Sequence, residues 1–170
     1  ENIELKSPYE RISFFDAIKQ ETGDDISQMN EKELFGYCKK QNITTEKNMG
    51  KGKLFDAVFG EFCEHKLIQP TFIIDYPIEM SPLTKPHRKN PKLTERFELF
   101  INGKEIANAY SEQNNPIEQK ESFKEQARLA QRGDDEAMLV DYDFLRSMEY
   151  GMPPTSGIGI GMDRLTMLLT

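Results

Sequence analysis

The stretch from residue 96 to 112, RFELFINGKEIANAYSE, constrains the fold more than any other part of this sequence. Its first half alternates apolar residues with others, as a β-strand with one buried face requires, and these apolar residues are Phe97, Leu99 and Ile101. Asn102-Gly103 follows directly, and this dipeptide favours a two-residue type I′ turn. The sequence therefore predicts a β-hairpin whose second strand runs back from Lys104 to Glu112.

Two glutamates of this hairpin, Glu98 and Glu105, suggest a chemical role. If the strands pair regularly from the turn, Glu98 faces Ala107, and the two carboxylates are diagonal neighbours on one face. Carboxylates this close repel each other unless a cation lies between them. A divalent cation that carries a phosphate is one natural occupant. The alternative is that both are solvated residues of an exposed sheet face, since paired acids are common on protein surfaces.

Three further polar side chains follow on the opposite parity of the second strand: Asn108, Tyr110 and Glu112. A polar and acidic strand face within a domain indicates a lined cavity rather than a core. Both sets of residues can face one cavity only if a β-bulge near Ile106-Ala107 shifts the alternation by one residue. We therefore predict a bulge at that point.

The C-terminal stretch GIGIGMDR, residues 157–164, places glycine at alternate positions of a predicted strand. Such a strand has one face bare of side chains, on which a flat group can lie against the backbone. An apolar helix is predicted to follow, with Asp163 near its start and Arg164 in its first turn. An adenine ring on the glycines, with Arg164 against phosphate, fits this pattern. Tight packing against another strand is the alternative.

Composition sets broad limits on the class of protein. The chain has 170 residues, so we expect a globular domain or a large part of one. Its formal net charge is −7, which repels the phosphate backbone, so any nucleic acid should be bound mainly by another segment of the protein. No signal peptide is recognisable at the N-terminus, and no apolar run is long enough to span a bilayer. Cys38 and Cys63 are expected to be reduced core residues, which suits the cytoplasm. His65 and His87 are too few and too isolated for a zinc site.

Three helices are predicted in the first seventy residues. Ser13 and Asn30 are expected to cap the first two helices, with Ser7 as a rival start for the first. The third helix, Lys53 to His65, carries an aromatic stripe at helical spacing. The glycines and lysines at positions 50–53 either hold a phosphate at a helix N-terminus or form a flexible turn.

The rest of the chain is predicted to add a short strand at 71–75 and helices that begin after Asn115 and Asp141. Residues 80–91 form a Pro-rich, basic loop, which either closes over a nucleotide or is simply mobile. The acidic run at 134–136 lacks the spacing of a metal-binding loop and is expected to be a solvated connector.

Two of these segments together resemble the class II aminoacyl-tRNA synthetases. Residues 157–164 with the following helix are similar to motif 3 of that class, and residues 96–116 are similar to the segment that precedes motif 3 in the lysyl-tRNA synthetases. Further similar stretches lie at residues 67–73, 81–83, 133–137 and 149–155. The resemblance covers roughly residues 8 to 170. The sequence departs from the family pattern at Ser111, Gln113 and Asn115, where the family more often shows Thr, Leu and Asp.

The resemblance implies an α+β fold. Part of the antiparallel class II synthetase sheet is expected to be flanked by helices, with residues 1–69 as a helical insertion and residues 70–170 as the C-terminal part of the catalytic domain. Motifs 1 and 2 and the anticodon-binding domain of the family are not recognisable here. We therefore expect the chain to be part of a longer synthetase and to be inactive, or nearly so, alone.

The resemblance also implies roles for individual residues. Arg164 matches the position that contacts the nucleotide phosphates and is the candidate catalytic residue. The candidate magnesium ligands are Glu98 and Glu105. The candidate ATP contacts are Glu105, Ile106, Gly159, Gly161, Met162, Asp163 and Arg164. The candidate lysine contacts are Asn108, Tyr110 and Glu112.

The activity implied for the full-length protein is ATP-dependent formation of lysyl-adenylate and transfer of lysine to tRNA(Lys), with Mg²⁺, in a cytoplasmic homodimer that has no contact with membranes. Two alternatives remain at the level of the sequence. One is a related lysine-adenylating ligase that modifies a protein. The other is a non-catalytic module that binds lysine or a nucleotide.

Overall fold

The computed structural model describes residues 2–134 and 137–170 of the chain. The fold is α+β, as expected, with a single mixed sheet in the described residues and helices packed against it. The strands lie in sequence order across the sheet: β1 (Glu10–Ser13), β2 (Thr71–Ile74), β3 (Arg96–Ile101), β4 (Lys104–Ser111) and β5 (Ser156–Ile160).

Helices precede, separate and follow these strands. The bounds are α1 (Phe14–Thr22), α2 (Glu31–Lys40), α3 (Lys51–Phe62), α4 (Pro116–Gln131), α5 (Tyr142–Glu149) and α6 (Met162–Leu169), with short 3₁₀ turns at Glu64–Lys66 and Ile78–Met80. Among the described residues, no helix is long and apolar enough to cross a membrane.

The first strand is where the sheet differs from the expected antiparallel arrangement. β1 pairs with β2 in parallel, while the pairings of β2 to β5 are antiparallel. Residues 10–13 were expected to belong to a helical section, and Ser7 was considered as a helix start. That rival start is wrong, because Glu10 already lies opposite Thr71 in the sheet.

The predicted helix caps are confirmed. Ser13 caps α1, because its Oγ accepts a hydrogen bond from the backbone N–H of Asp16 at 3.2 Å. Asn30 and Glu33 form a reciprocal capping box at α2. Asn115 caps α4 by accepting from the backbone N–H of Ile117 at 3.0 Å, so the family's usual aspartate is not needed there.

The main core lies between the first three helices and one face of the sheet. Aromatic rings dominate it: Phe14 stacks on Phe59 at 5.0 Å between centroids, and Phe59 reaches Phe100 of β3 at 5.7 Å. Each such buried ring contributes on the order of 2 kcal/mol through removal from water. This packing identifies the buried face of β3, which is the face of Glu98 and Phe100.

The predicted buried face of β3 was therefore wrong in two of its three positions. Phe97 and Leu99 are only partly buried, whereas Ile101 is buried as expected. The cause is tertiary: α1 and α3 cover the face that carries the glutamate. Alternation along the strand shows that two faces differ, but it does not show which one the helices cover.

Two further features lie outside the main core, and the second ties the helical section to the rest of the chain. Phe123, Leu145 and Met148 form a second, smaller cluster between α4 and α5. Asp134 was expected to be solvated but is buried, and it accepts an ion pair from Lys53 of α3 at 2.7 Å. The rest of that acidic run, at 135–136, lies outside the described residues.

The hairpin turn offers a test of local structure. Asn102 and Gly103 both have positive φ, 54° and 65°, as a type I′ turn requires. We expect Gly103→Ala to lower the free energy of unfolding by about 1 kcal/mol, because an L side chain is strained there. Gly36→Ala is the matched control, since its added methyl group meets open space within α2 and should stabilise by about 0.5 kcal/mol. Urea denaturation should give shifts of opposite sign, and equal shifts would contradict the turn assignment.

Candidate active site

A β-bulge in β4 organises the site. The register steps from Phe100 opposite Glu105 to Leu99 opposite Ala107, so Ile106 is an additional residue on β4. This confirms the predicted bulge. It also corrects the predicted pairing of Glu98 with Ala107, because the extra residue moves Asn108 into the position opposite Glu98.

Because of the bulge, both sets of polar residues share one face. Glu105 lies opposite Phe100, and Asn108 and Tyr110 lie opposite Glu98 and Arg96. On β5 the residues that pair with Asn108 and Tyr110 are Gly159 and Gly157, so the glycines lie on the same face. The alternating isoleucines, Ile158 and Ile160, belong to the other face and are largely exposed. On this face of the sheet, β5 therefore carries no side chain at residues 157 and 159.

Glu98 is a buried carboxylate with two partners, neither of which was named from the sequence. Tyr76, which is also buried, donates its hydroxyl to Oε2 of Glu98 at 2.7 Å, and Arg96 pairs with Oε1. Burial raises the pKa of Glu98, and the Arg96 guanidinium and the Tyr76 hydroxyl oppose that rise. In the described structure Arg96 is the cationic partner of Glu98, and Arg164 is that of Glu105.

Arg96 is the hub of a polar network. Its Nη1 donates to Ser81 Oγ at 2.8 Å and to the Met80 carbonyl oxygen at 3.0 Å, and its Nε donates to Asn108 Oδ1 at 3.3 Å. Its guanidinium also lies 4.6 Å from the centre of the Tyr76 ring. The signal in the sequence was the position of Arg96 two residues before Glu98, which places both on one strand face.

Glu105 and Arg164 form the second part of the site. Nη1 of Arg164 donates to the Glu105 carbonyl oxygen at 2.7 Å and lies 3.4 Å from Glu105 Oε2. The backbone of Gly161 donates to the carbonyl oxygen of Ile106 at 2.9 Å, which fixes the start of α6 against the bulge. Arg164 thus reaches back from α6 to Glu105 of β4, and its place over the glycines of β5 stays a prediction. Met162 and Asp163 lie in the exposed first turn of α6.

Glu112 lies at the far end of β4, where glycine makes room for it. A Cβ atom at Gly157 would come within 2.5 Å of Glu112 Oε1, so any other residue there displaces the carboxylate. The backbone N–H of Glu112 donates to the Thr155 carbonyl oxygen at 2.9 Å. Burial raises the pKa of Glu112, and burial together with the Glu112 carboxylate raises the pKa of Tyr110.

The Pro-rich loop packs beside Glu112. Thr84 forms an isolated antiparallel β-bridge with Glu112. Lys85 donates its backbone N–H to the Ser111 carbonyl oxygen at 2.9 Å, and its Nζ donates to Asn114 Oδ1 at 2.8 Å. Gln113 is buried next to it, donating its backbone N–H to the Leu83 carbonyl oxygen and its side-chain amide to Glu118. A glutamine at this position therefore holds the end of β4 to the loop by hydrogen bonds.

Two interpretations were open for the glycines and lysines at residues 50–53, and the structure supports a turn rather than a phosphate site. Lys51 pairs with Glu79 at 2.8 Å and Lys53 pairs with Asp134 at 2.7 Å. An added Cβ atom at Gly52 would collide with the carbonyl oxygen of Glu79, so the glycine permits close packing of the two chain segments.

The residues present fit one kind of metal ion. Among residues 2–134 and 137–170, no group of three or more His, Cys, Asp or Glu side chains could hold an ion by itself. Glu98 and Glu105 carry hard carboxylate oxygens, which are paired with arginines here, and Mg²⁺ is commonly bound by one or two carboxylates plus phosphates of the substrate. Glu98 and Arg96 also line a cavity of about 310 Å³ between α3, the Met80–Pro82 segment and the end of α4. This donor set suits Mg²⁺ with a nucleotide and does not suit zinc.

Comparison with known proteins agrees with this geometry. Residues 1–170 match the family of class II tRNA synthetases (D, K and N), and the chain belongs to that family. The similar proteins include lysine–tRNA ligases of Porphyromonas gingivalis strain W83, 64% identical over 168 residues, and of Christiangramia forsetii, also 64% identical over 168 residues. Each alignment covers 99% of this chain, but only 29% and 30% of the respective relative. A third, from Azobacteroides pseudotrichonymphae, is 60% identical and is covered over 34% of its length.

The raised pKa of Glu112 leads to a pH prediction. We expect the pKa of the Glu112 carboxyl to lie above the ordinary value of a glutamate, because Glu112 is partly buried. The pKa of exposed Glu121 should lie below that value, because a hydrogen bond from Lys124 lowers it. A carboxyl whose pKa is raised by folding stabilises the fold at low pH, and this contribution is lost as the pH rises through its folded pKa. Carbon-detected NMR titration of the glutamate carboxyls checks that the pKa of Glu112 is higher than that of Glu121. A Glu112 that titrates at or below Glu121 would contradict the burial of Glu112.

Proposed function

We propose that the protein to which these residues belong is a lysine–tRNA ligase, which activates lysine with ATP and transfers it to tRNA(Lys). The observation that carries this proposal is Glu112, a partly buried carboxylate at the end of a face that also presents Glu98, Glu105 and Arg164. The relatives, all named lysine–tRNA ligases, support it and do not favour the alternative of a ligase that modifies a protein.

Lysine recognition is assigned to three residues of β4. The ε-ammonium of lysine would pair with Glu112, whose burial makes an unpaired state costly. An uncharged amino acid would leave that carboxylate without a counterion, so the site discriminates by charge as well as by size. Tyr110 would supply an apolar ring beside the lysine methylenes, and Asn108 would contact the end of the substrate that reacts.

ATP is assigned to the other half of the face. The adenine ring would lie on the bare backbone of Gly159 and Gly161, beside Glu105 and Ile106, with Met162 and Asp163 at its edge. Arg164 would be the catalytic residue, since a guanidinium offers five N–H donors and only its Nη1 is used in the contacts with Glu105 described above. Its charge would neutralise the negative charge that develops on the phosphates.

Glu98 and Glu105 would hold Mg²⁺ together with the ATP phosphates, and the ion would neutralise charge on the polyphosphate. In the first step a carboxylate oxygen of lysine attacks the α-phosphorus, the bond to the bridging oxygen breaks, and pyrophosphate leaves with that electron pair. The nucleophile is already ionised, so no general base is required. Catalysis then depends on positioning and on cations around the phosphates.

The remaining assignments concern the whole protein. We propose residues 1–69 as an insertion that covers one side of the site, and residues 70–170 as the C-terminal part of the catalytic domain. The resemblance to the class II synthetases is the basis for proposing tRNA(Lys) as substrate, a homodimer and a cytoplasmic location for the full-length protein.

The direct test is lysine-dependent ATP–pyrophosphate exchange by the full-length protein. We expect exchange with the unmodified protein and a loss of at least about a hundredfold in kcat/KM for lysine with Glu112→Gln, because a charge-assisted contact is removed from a buried site. Glu121→Gln is the control, since Glu121 is exposed on α4 and contacts Lys124 there. A folded full-length protein without exchange would overturn the ligase and leave a binding module as the explanation.

A second pair of variants separates the two halves of the site. Gly157→Ala should raise the KM for lysine, because its methyl group takes the place of the Glu112 carboxylate. A Cβ atom added at Gly159 would lie 3.9 Å from the nearest described atom, the carbonyl oxygen of Asn108, so the methyl group of Gly159→Ala fits the unliganded face. It would occupy the place proposed for the adenine ring, and Gly159→Ala should therefore raise the KM for ATP. Steady-state exchange with each substrate varied in turn checks this. Equal effects of both variants on both KM values would contradict the assignment.

A further inference from the structure

The network around Arg96 has a feature that the proposed function does not use. One guanidinium reaches three separate parts of the chain: Glu98 on the same strand, Asn108 on β4, and the Met80-Ser81 segment before the Pro-rich loop. The Arg96 side chain is only 15% exposed, so these contacts are largely shielded from water. A guanidinium held by so many acceptors has little freedom to move.

The contact with Asn108 determines which way its amide faces. Arg96 has only donors, so Asn108 must offer its oxygen to Nε. The NH₂ group of the amide is then not the part that meets Arg96, and Asn108 lies opposite Gly159 of β5, which has no side chain. An amide that presents N–H donors is suited to an anionic group such as a carboxylate.

We propose that Arg96 is a positioning residue for the amino-acid site, which fixes Asn108 with its NH₂ group toward the α-carboxylate of the substrate. The inference rests on the proposed function, because it assumes an amino acid on this face. Glu98, Ser81 and the Met80 carbonyl group are the anchors that hold Arg96 in the required orientation. Arg96 itself touches Asn108 rather than the reacting atoms.

Lysine cannot replace arginine in this role. An ammonium group is a compact point charge and cannot satisfy Glu98, Ser81 and Asn108 in one plane, as the planar guanidinium does. Without the bond from Nε, the Asn108 amide can rotate and present its oxygen, which repels a carboxylate. The expected defect is therefore in binding of the amino acid.

The test is a double-mutant cycle on the full-length protein, with lysine binding measured by equilibrium dialysis without ATP or Mg²⁺. We expect Arg96→Lys to weaken lysine binding about tenfold, the scale of a hydrogen bond to a charged group. In an Asn108→Ala background the same change should alter binding by less than about twofold, because the residue through which Arg96 acts is gone. Arg88→Lys is the matched control, since Arg88 is 85% exposed and pairs with Glu95 outside this network.

A second variant, Ser81→Ala, tests the same inference if the Arg96→Lys protein does not fold. Ser81→Ala removes one anchor with little change in volume, and we expect a loss of about threefold that also disappears in the Asn108→Ala background. Effects that simply add to that of Asn108→Ala would overturn the positioning role while leaving lysine binding intact. An unmodified protein that binds no lysine would overturn the proposed function and this inference together. Unchanged binding in Arg96→Lys and Ser81→Ala would overturn the inference alone.

Discussion

The structure depends on how a buried carboxylate is satisfied. Glu98 lies beneath α3 on the face that the aromatic core covers, where an unpaired charge would cost several kcal/mol. Arg96 and Tyr76 take one oxygen each, and Arg96 also bonds Asn108 and the Met80-Ser81 segment. The same polar contacts that make burial of Glu98 tolerable therefore also join β3, β4 and the loop beside the site.

The covering helices and the glycine strand divide the sheet face between them. The aromatic rings of α1 and α3 cover the end of the face near Phe100, so that end is core. At the other end β5 contributes Gly157 and Gly159, so the backbone there is accessible and Glu112 has room. One face thus changes from packed interior near Phe100 to open backbone at the glycines of β5, within the same layer of the structure.

Local chemistry explains which parts of this arrangement were predictable. The Asn102-Gly103 turn, the caps at Ser13, Asn30 and Asn115, and the bulge follow from residues close in sequence, and all were predicted. The buried face of β3 was misassigned, and β1 and the network of Arg96 were missed. These depend on which helices pack on which side and on partners such as Tyr76, 22 residues from Glu98. Sequence spacing carries no information about such contacts until the topology is known.

The bulge at Ile106 has a consequence for how such a hairpin can change in length. In a regular ladder each side chain alternates faces, so the bulge acts as a one-step change of phase between the turn and the far end of β4. Removing the extra residue, Ile106, would leave Glu105 opposite Phe100 and Asn108 opposite Glu98, so Asn108, Tyr110 and Glu112 would stay on the same face of a regular ladder. Regular pairing at the present length would instead send those three side chains to the opposite side of the sheet. A hairpin of this length therefore needs the bulge, whereas a hairpin that lacks Ile106 could keep the same faces without it.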